Sequence, residues 1–427
     1  MITRPVENRF TSILQIAKKN SLYIILFQSF IVGLIGSIHE TVFQPFILSL
    51  IDSLLLVGFL QSIYRFGRFF FQVFSGGYSD RYGRKQGFLL GFFFLIIAIL
   101  VFLSIVIIEN MHFIVLIAVL ALGTLLLSIG MAFFGSSTPA VAIDSSEIET
   151  QSNKLKNTGL LLGVFMFVEF SAGIFGPGLT AELSKLGGFL WVYFMMLSLG
   201  IFGIFFTGLF YKIKKPILLY EKPKRNWKEY FNIQIPLRRF YFATIVDTIG
   251  FSLILSLIFS IFLKYHGFTL EDIAWLNIVL SLFMGLSQIP CGWLTDRVDK
   301  RILFTISDVI GIIVLSIWLI TPKFEWIVLS YALFAFSITV WLPAVLAFIG
   351  LKVEKESRGF EIGKWNMLRG ITALPMPLIG GFLAEVIGYQ WVIMLSICIV
   401  TISAVSYLTI EKESNDDVRE KAFLEFN

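Results

Sequence analysis

The sequence predicts an all-α membrane protein with twelve transmembrane helices in two pseudo-symmetric six-helix bundles. Three observations predict it. Hydrophobic residues fill 57% of the 427 positions and charged residues only 15%, where an ordinary soluble domain carries roughly 25% charged residues. The apolar residues gather in blocks of about 20, the length a helix needs to cross a bilayer. A short motif of glycines, an acid and bases recurs at the same place in each half of the chain.

The first six blocks cover approximately residues 21–50, 53–76, 87–108, 112–143, 158–182 and 189–210. The block opening near Ser21 outruns a signal-peptide core and lacks a small-residue cleavage pattern, so it reads as a retained first span. Six more follow at 239–263, 270–294, 302–320, 324–350, 360–384 and 390–410. Transmembrane β-strands would alternate inward and outward over about 10 residues, which these continuous apolar runs do not do. The expected organisation is a bundle over 1–210, a cytoplasmic linker over 211–238 and a second bundle with a short tail over 239–427. The linker holds Lys212, Lys214, Lys215, Lys222, Lys224, Arg225 and Lys228 with Pro216, Pro223 and Pro236. Such a basic run fits both an anionic-lipid contact and ordinary retention of positive loops.

Lys and Arg set the orientation. Segments on the side of the N-terminus hold 27 of the 34, while the opposite side holds Lys185, Lys264 and Lys323. This bias places both termini in the cytoplasm and makes the net charge of +5 a topology signal. The loops are too small to form a basic folded face, so nucleic-acid binding is not expected. Cys291 and Cys398 lie in or beside apolar blocks and offer neither a disulfide framework nor a metal-ligand pattern. No metal and no cofactor is expected.

Between the second and third blocks stands Gly76-Gly77-Tyr78-Ser79-Asp80-Arg81-Tyr82-Gly83-Arg84-Lys85, and after the eighth stands Gly292-Trp293-Leu294-Thr295-Asp296-Arg297-Val298-Asp299-Lys300-Arg301. The shared Gly-x-x-x-Asp-Arg core repeats at a separation of 216 residues, close to half the chain, which points to duplication. A weaker echo sets Lys154 to Gly159 against Arg358 to Gly363. Gly76 allows close helix packing and Gly83 a tight turn into the third helix.

In these motifs the chain resembles the major facilitator superfamily, whose loop between helices two and three carries Gly-x-Leu-Ala-Asp-Arg-x-Gly-Arg-Arg/Lys. Tyr78 and Ser79 replace Leu and Ala, and Asp299 stands where the second copy would have Gly. The resemblance implies a secondary transporter in which the motif, including Asp80, Arg81, Arg84 and Lys85, latches the cytoplasmic side. It also implies an acid for Arg84 at the end of helix four, for which Asp144 is the candidate. In the second copy, at Gly292, Asp296 and Arg297, we expect Asp296 to do the same more weakly against helix five near Thr158. The basic residue that many members carry in helix four is missing here. In helix five, Gly173, Gly176 and Pro177 only partly match the antiporter signature, because Ala172 occupies the first Gly position. The three can equally serve as close packing and a kink.

Eight ionisable residues other than His lie inside spans: Glu40, Arg65, Arg68, Glu169, Asp247, Asp308, Lys364 and Arg369. Each costs about 2.5 kcal/mol or more if unpaired at a helix centre, so they should face a cavity or one another. Gln61, Arg65, Arg68 and Gln72 follow helical spacing along one face of the second span. Glu40 and Gln44 share a face of the first, with His39 turned about 100° away. Glu40, Arg65, Glu169 and Arg369 form the core of the candidate pathway, joined by Arg68, Gln44 and His39, with Trp341, Trp365 and Asn366 as further lining. Asp247, Asp308 and Lys364 fall near cytoplasmic helix ends, where snorkelling to the interface is cheap.

The function expected is transport of a small organic solute by alternating access, coupled to protons through the acids, including efflux of an amphiphile. The alternative is symport or exchange of a small organic or inorganic anion through Arg65 and Arg369. A non-transporting membrane sensor is a third, weaker reading, since the tail is too short for a signalling domain. An enzyme is not expected, because the intramembrane residues form no nucleophile-base or two-metal pattern. The expected partners are a small-molecule substrate, the proton and the lipid bilayer, with the protein a monomer in the plasma membrane.

Overall fold

The computed structural model describes residues 22–108, 111–150, 158–210, 231–321, 323–353 and 358–411. Every regular element among them is helical: α1 (Leu22–Leu50), α2 (Leu54–Tyr82), α3 (Arg84–Ile107), α4 (Phe113–Thr150), α5 (Thr158–Phe210), α6 (Arg238–Leu255), α7 (Ile258–His266), α8 (Leu270–Arg297), α9 (Lys300–Ile320), α10 (Phe324–Lys352), α11 (Arg358–Ala373), α12 (Met376–Val386) and α13 (Tyr389–Leu408), with a short 3-10 turn at Ile235–Leu237.

Eleven of the described helical segments are long and apolar enough to cross a membrane. One of them, Phe167–Leu209, supplies two spans. Its helix breaks at Gly187 and at Gly188, whose φ of 65° is a conformation glycine adopts without a Cβ clash. Two of the twelve spans are themselves bent. α6 and α7 make one span interrupted at Ser256–Leu257, and α11 and α12 make another interrupted at Leu374–Pro375, where proline lacks the N–H that would continue the ladder.

Much of the basic signal that sets the expected orientation falls on 211–230 and on both chain ends, which lie outside the described residues. The chain divides into two compact units. The first contains residues up to 49, 63–222 and 273–278, and the second contains 50–62, 223–272 and 279 onward.

In the first unit α3 packs along α4 and α5. Its core is aromatic: Phe102 stacks on Tyr193 at 5.5 Å, and Phe46 meets Tyr193 edge-on at 5.1 Å. Serines fasten α2 to α4, Ser75 to Ser136 and Ser79 to Ser137, each at 2.9 Å. Interhelical hydroxyl bonds of this kind help where lipid removes the hydrophobic drive for helix association. The second pair gives Ser79, which departs from the superfamily motif, a defined packing role.

In the second unit α13 packs on both α6 and α9, with α10 on α9. Phe240, Phe304, Phe348 and Tyr407 form its aromatic centre. Ser307 and Ser337 bond at 2.9 Å across α9 and α10. Gly380 of α12 faces the Leu253 carbonyl so closely that no Cβ would fit, and a Cβ on Gly381 would stand 2.5 Å from the Leu54 carbonyl at the start of α2.

The two copies of the repeated motif solve the same turn differently. Gly83 enters α3 with φ 98°, a value that costs an L-residue with a Cβ. The equivalent Asp299 enters α9 with φ −55° and caps it, accepting from the Arg301 N–H at 3.1 Å and from its Nε at 2.8 Å. A carboxylate cap thus stands where the other copy uses glycine.

Candidate functional site

The first unit assembles a charge cluster from three helices. α1 and α5 approach through small residues: a Cβ on Gly33 would lie 3.0 Å from Cβ of Ala172, and one on Gly176 would collide with the side chain of Ser37. Ser37 also donates to the Ala172 carbonyl at 3.2 Å. Ala172 therefore leaves room for a methyl and little more. Gly173 is buried, Pro177 interrupts the helical ladder, and Thr180 donates to the Gly176 carbonyl at 2.9 Å.

This approach brings Glu40 of α1 within electrostatic reach of Glu169 of α5, and Arg68 of α2 acts on both. Arg68 is hydrogen-bonded to the Tyr64 hydroxyl one turn earlier. Glu40, Arg68 and Glu169 are exposed although they sit well inside their helices. An unpaired charge facing lipid at such a depth is costly.

The central cation is Arg68, whereas helical position alone favours Arg65, which is half-buried and acts on Tyr64. Gln44 is buried. His39 is buried too, packed on Phe43 at 4.7 Å and Tyr64 at 5.7 Å. Thr41, next to Glu40, accepts from the amide of Asn277 at 3.0 Å. Tyr64 has no charge and no periodic signal to mark it, and its role emerges only from its contact with Arg68.

The second unit holds another cluster. The Arg369 guanidinium lies 4.6 Å from the ring centre of Trp341 and 4.7 Å from that of Trp365, and its Nε donates to Thr248 at 3.0 Å. Asp247, adjacent to Thr248, acts electrostatically on Arg369 and on Asp308 of α9. The Trp341 indole N–H donates to Tyr407 at 3.3 Å.

Interface snorkelling is not what Asp247, Asp308 and Lys364 do. They are 6%, 0% and 1% exposed and turn into the helix packing, where Lys364 pairs with Glu361. Each lies on the face of its helix that meets neighbouring helices, a fact that depth along the span does not reveal.

Around the first motif, Lys85 donates to the Gly208 carbonyl at 2.7 Å and so caps the C-terminal end of α5. Arg81 lies over Tyr82, and Gly76 is in ordinary contact with Ser136. Arg84 is half-buried and has partners. In the second copy Arg297 stacks on Trp293 at 4.1 Å, and nothing crowds Gly292. The side chains of Asp80, Asp144 and Asp296 lie outside the described residues. No group of three or more potential metal ligands occurs among the described residues.

Twelve spans with charges gathered inside each unit define a polytopic membrane protein. The sequence matches the Major Facilitator Superfamily over residues 25–239 and again over 240–425, and the chain belongs to that superfamily. It is therefore a secondary transporter.

The fold is similar to that of the nucleoside transporter NupG, in a point mutant, with a TM-score of 0.72 at 12% identity over 92% of this chain and all of that one. A D-xylose–proton symporter gives 0.67 at 12% identity, covering 91% and 97%. A bacterial homologue of the human lysosomal transporter Spinster, inward-facing and occupied, gives 0.66 at 15% identity, covering 91% and 95%. No curated protein matches the sequence significantly.

Proposed function

We propose that the chain couples the movement of a small organic solute to protons, and that Glu40, Arg68 and Glu169 carry the coupling. The observation behind this reading is that one guanidinium acts on two carboxylates from different helices. When Arg68 turns toward one acid, the other loses its counter-charge at membrane depth, where a proton is the cheapest replacement. Tyr64 steadies Arg68 between the two. In this reading the protein works as a monomer in the plasma membrane with both termini in the cytoplasm, residues 1–210 and 239–427 forming the bundles joined by 211–238, and amphiphile efflux is one direction of the cycle.

Arg369 favours a second reading, transport of an anion. Two indoles lie 4.6 and 4.7 Å from its guanidinium, a group that can meet a carboxylate or phosphate in a paired geometry.

The test is internal pH in proteoliposomes holding the full chain while organic anions, sugars, amino acids and cationic amphiphiles are added outside. A solute-driven pH change that is lost in both Glu40→Gln and Glu169→Gln supports proton coupling. Labelled solute crossing with no pH change overturns it.

A further inference from the structure

Asp308 is wholly buried, and neither of its carboxyl oxygens meets a hydrogen-bond donor among the described residues. Its polar neighbours are the carboxyl of Asp247 and the hydroxyl of Ser403 on α13. That hydroxyl is already committed, donating to the Ala243 carbonyl at 3.1 Å. What remains is carboxyl against carboxyl. Two ionised carboxylates are acceptors only, so their close approach in a buried site is stable only with a hydrogen between them.

The charged and titratable groups facing the pair are Arg369 on α11, which acts on Asp247, and Tyr407 on α13, which is in reach of both acids. α10, packed on α9, brings the neutral Ser337 and Trp341. With one proton on the pair, Arg369 and the two acids sum to zero charge. An anionic group that takes Arg369 upsets that balance by one negative charge, and one further proton on Asp247 restores it. Keeping a buried site neutral in both states avoids the cost of an uncompensated charge.

We propose that Asp247 and Asp308 form a proton-exchange site of the second unit, holding one shared proton while Arg369 balances Asp247 and taking a second on Asp247 when Arg369 engages an anionic group of the solute. The second proton comes from water onto an Asp247 oxygen and returns to water when Arg369 swings back, and no other bond forms or breaks. The inference rests on the proton-coupled reading and narrows its substrate to an organic solute bearing a carboxylate-like or phosphate-like group.

Infrared difference spectroscopy of the full chain in lipid nanodiscs tests it without needing the solute. The carboxylic-acid C=O band, identified by its shift in D₂O, reports protonated buried acids. At neutral pH one such band should vanish in Asp308→Asn and also in Asp247→Asn, where the remaining acid ionises against an amide donor. It should persist in Glu40→Gln/Glu169→Gln. Arg369→Gln, which mimics loss of the cation to a ligand, should add a second band that disappears again in Arg369→Gln/Asp247→Asn.

A spectrum in which Asp308→Asn and Asp247→Asn both leave the band intact overturns the proposal, as does Arg369→Gln with no gain. Because these bands do not depend on transport, failure of the proteoliposome test would overturn coupling through Glu40 and Glu169 and leave this assignment to stand or fall by its own spectra.

Discussion

Nζ of Lys364 lies 2.6 Å from Oε1 of Glu361, one helical turn away on α11, with the two side chains only 1% and 3% exposed. Both side chains make further bonds. Lys364 also donates to the Asn232 carbonyl at 3.0 Å, and the Tyr241 hydroxyl donates to Oε2 of Glu361 at 3.2 Å. The pair thus pins the chain entering α6 to α11. Breaking a buried pair strands the surviving charge, at a cost of about 3–5 kcal/mol, whereas replacing both partners with apolar residues is often nearly neutral. Lys364→Met and Glu361→Leu alone should each lower the melting temperature in detergent markedly, and the double variant should recover most of the loss. Additive losses in the double variant would show that the two residues act separately.

Arg369 is held by two neighbouring aromatic rings as well as by its charge. A cation desolvated against an indole gains about 2 kcal/mol, and here two indoles flank one guanidinium. Lysine keeps the charge but has no plane to stack. Arg369→Lys should therefore be destabilised by about 1–2 kcal/mol in thermal unfolding, and Trp365→Leu should be destabilised in the same direction. In the Trp341→Leu/Trp365→Leu background the Arg369→Lys change should cost much less. An unchanged cost there would assign the effect to the Thr248 hydrogen bond instead.

The paired motif copies give a contrast in backbone chemistry. Gly83 sits at φ 98°, so Gly83→Ala should cost about 1–2 kcal/mol through strain. Asp299→Ala should cost about 1 kcal/mol through loss of a helix cap. Asp299→Asn, which retains a capping oxygen, should lose little. Thermal unfolding of the three variants checks both, and equal losses in Asp299→Ala and Asp299→Asn would remove the cap from the account.

Helix number, the break between the fifth and sixth spans and the placement of the motifs were legible because bilayer thickness, glycine chemistry and duplication all write directly into one dimension. Which charges meet was legible only in part. Glu40 and Glu169 stood out as mid-span acids, yet choosing between Arg65 and Arg68 needs the rotation of α2, and both lie on one polar stripe. Asp247 and Asp308 read as interface acids because depth along a span was all the sequence offered. Their burial comes from the packing of α13 on both α6 and α9, a relation between segments some 60 or more residues apart. Tyr64 and Thr248 carry no charge and acquire meaning only beside an arginine.

The start of α2 rests on α12 through two glycines and one carboxylate, all within the second unit. Gly58 meets the Pro377 carbonyl and Gly381 meets the Leu54 carbonyl, leaving no space for a Cβ at either position. Oε1 of Glu385 accepts from the Ser53 hydroxyl at 2.7 Å and from the Leu55 N–H at 3.1 Å, placing a negative charge on the N-terminus of α2. Losing such a cap costs about 0.5–2 kcal/mol, and adding a methyl at either glycine forces the two backbones apart. Leu54 is buried at this contact. A cysteine introduced as Leu54→Cys, with Cys291 and Cys398 replaced by alanine, should react slowly with a membrane-impermeant maleimide. Adding Gly381→Ala should accelerate labelling by tenfold or more, equivalent to about 1.4 kcal/mol of lost contact, and Glu385→Gln should accelerate it less. Unchanged labelling in Gly381→Ala would mean that the α2–α12 contact does not govern access to this end of the helix.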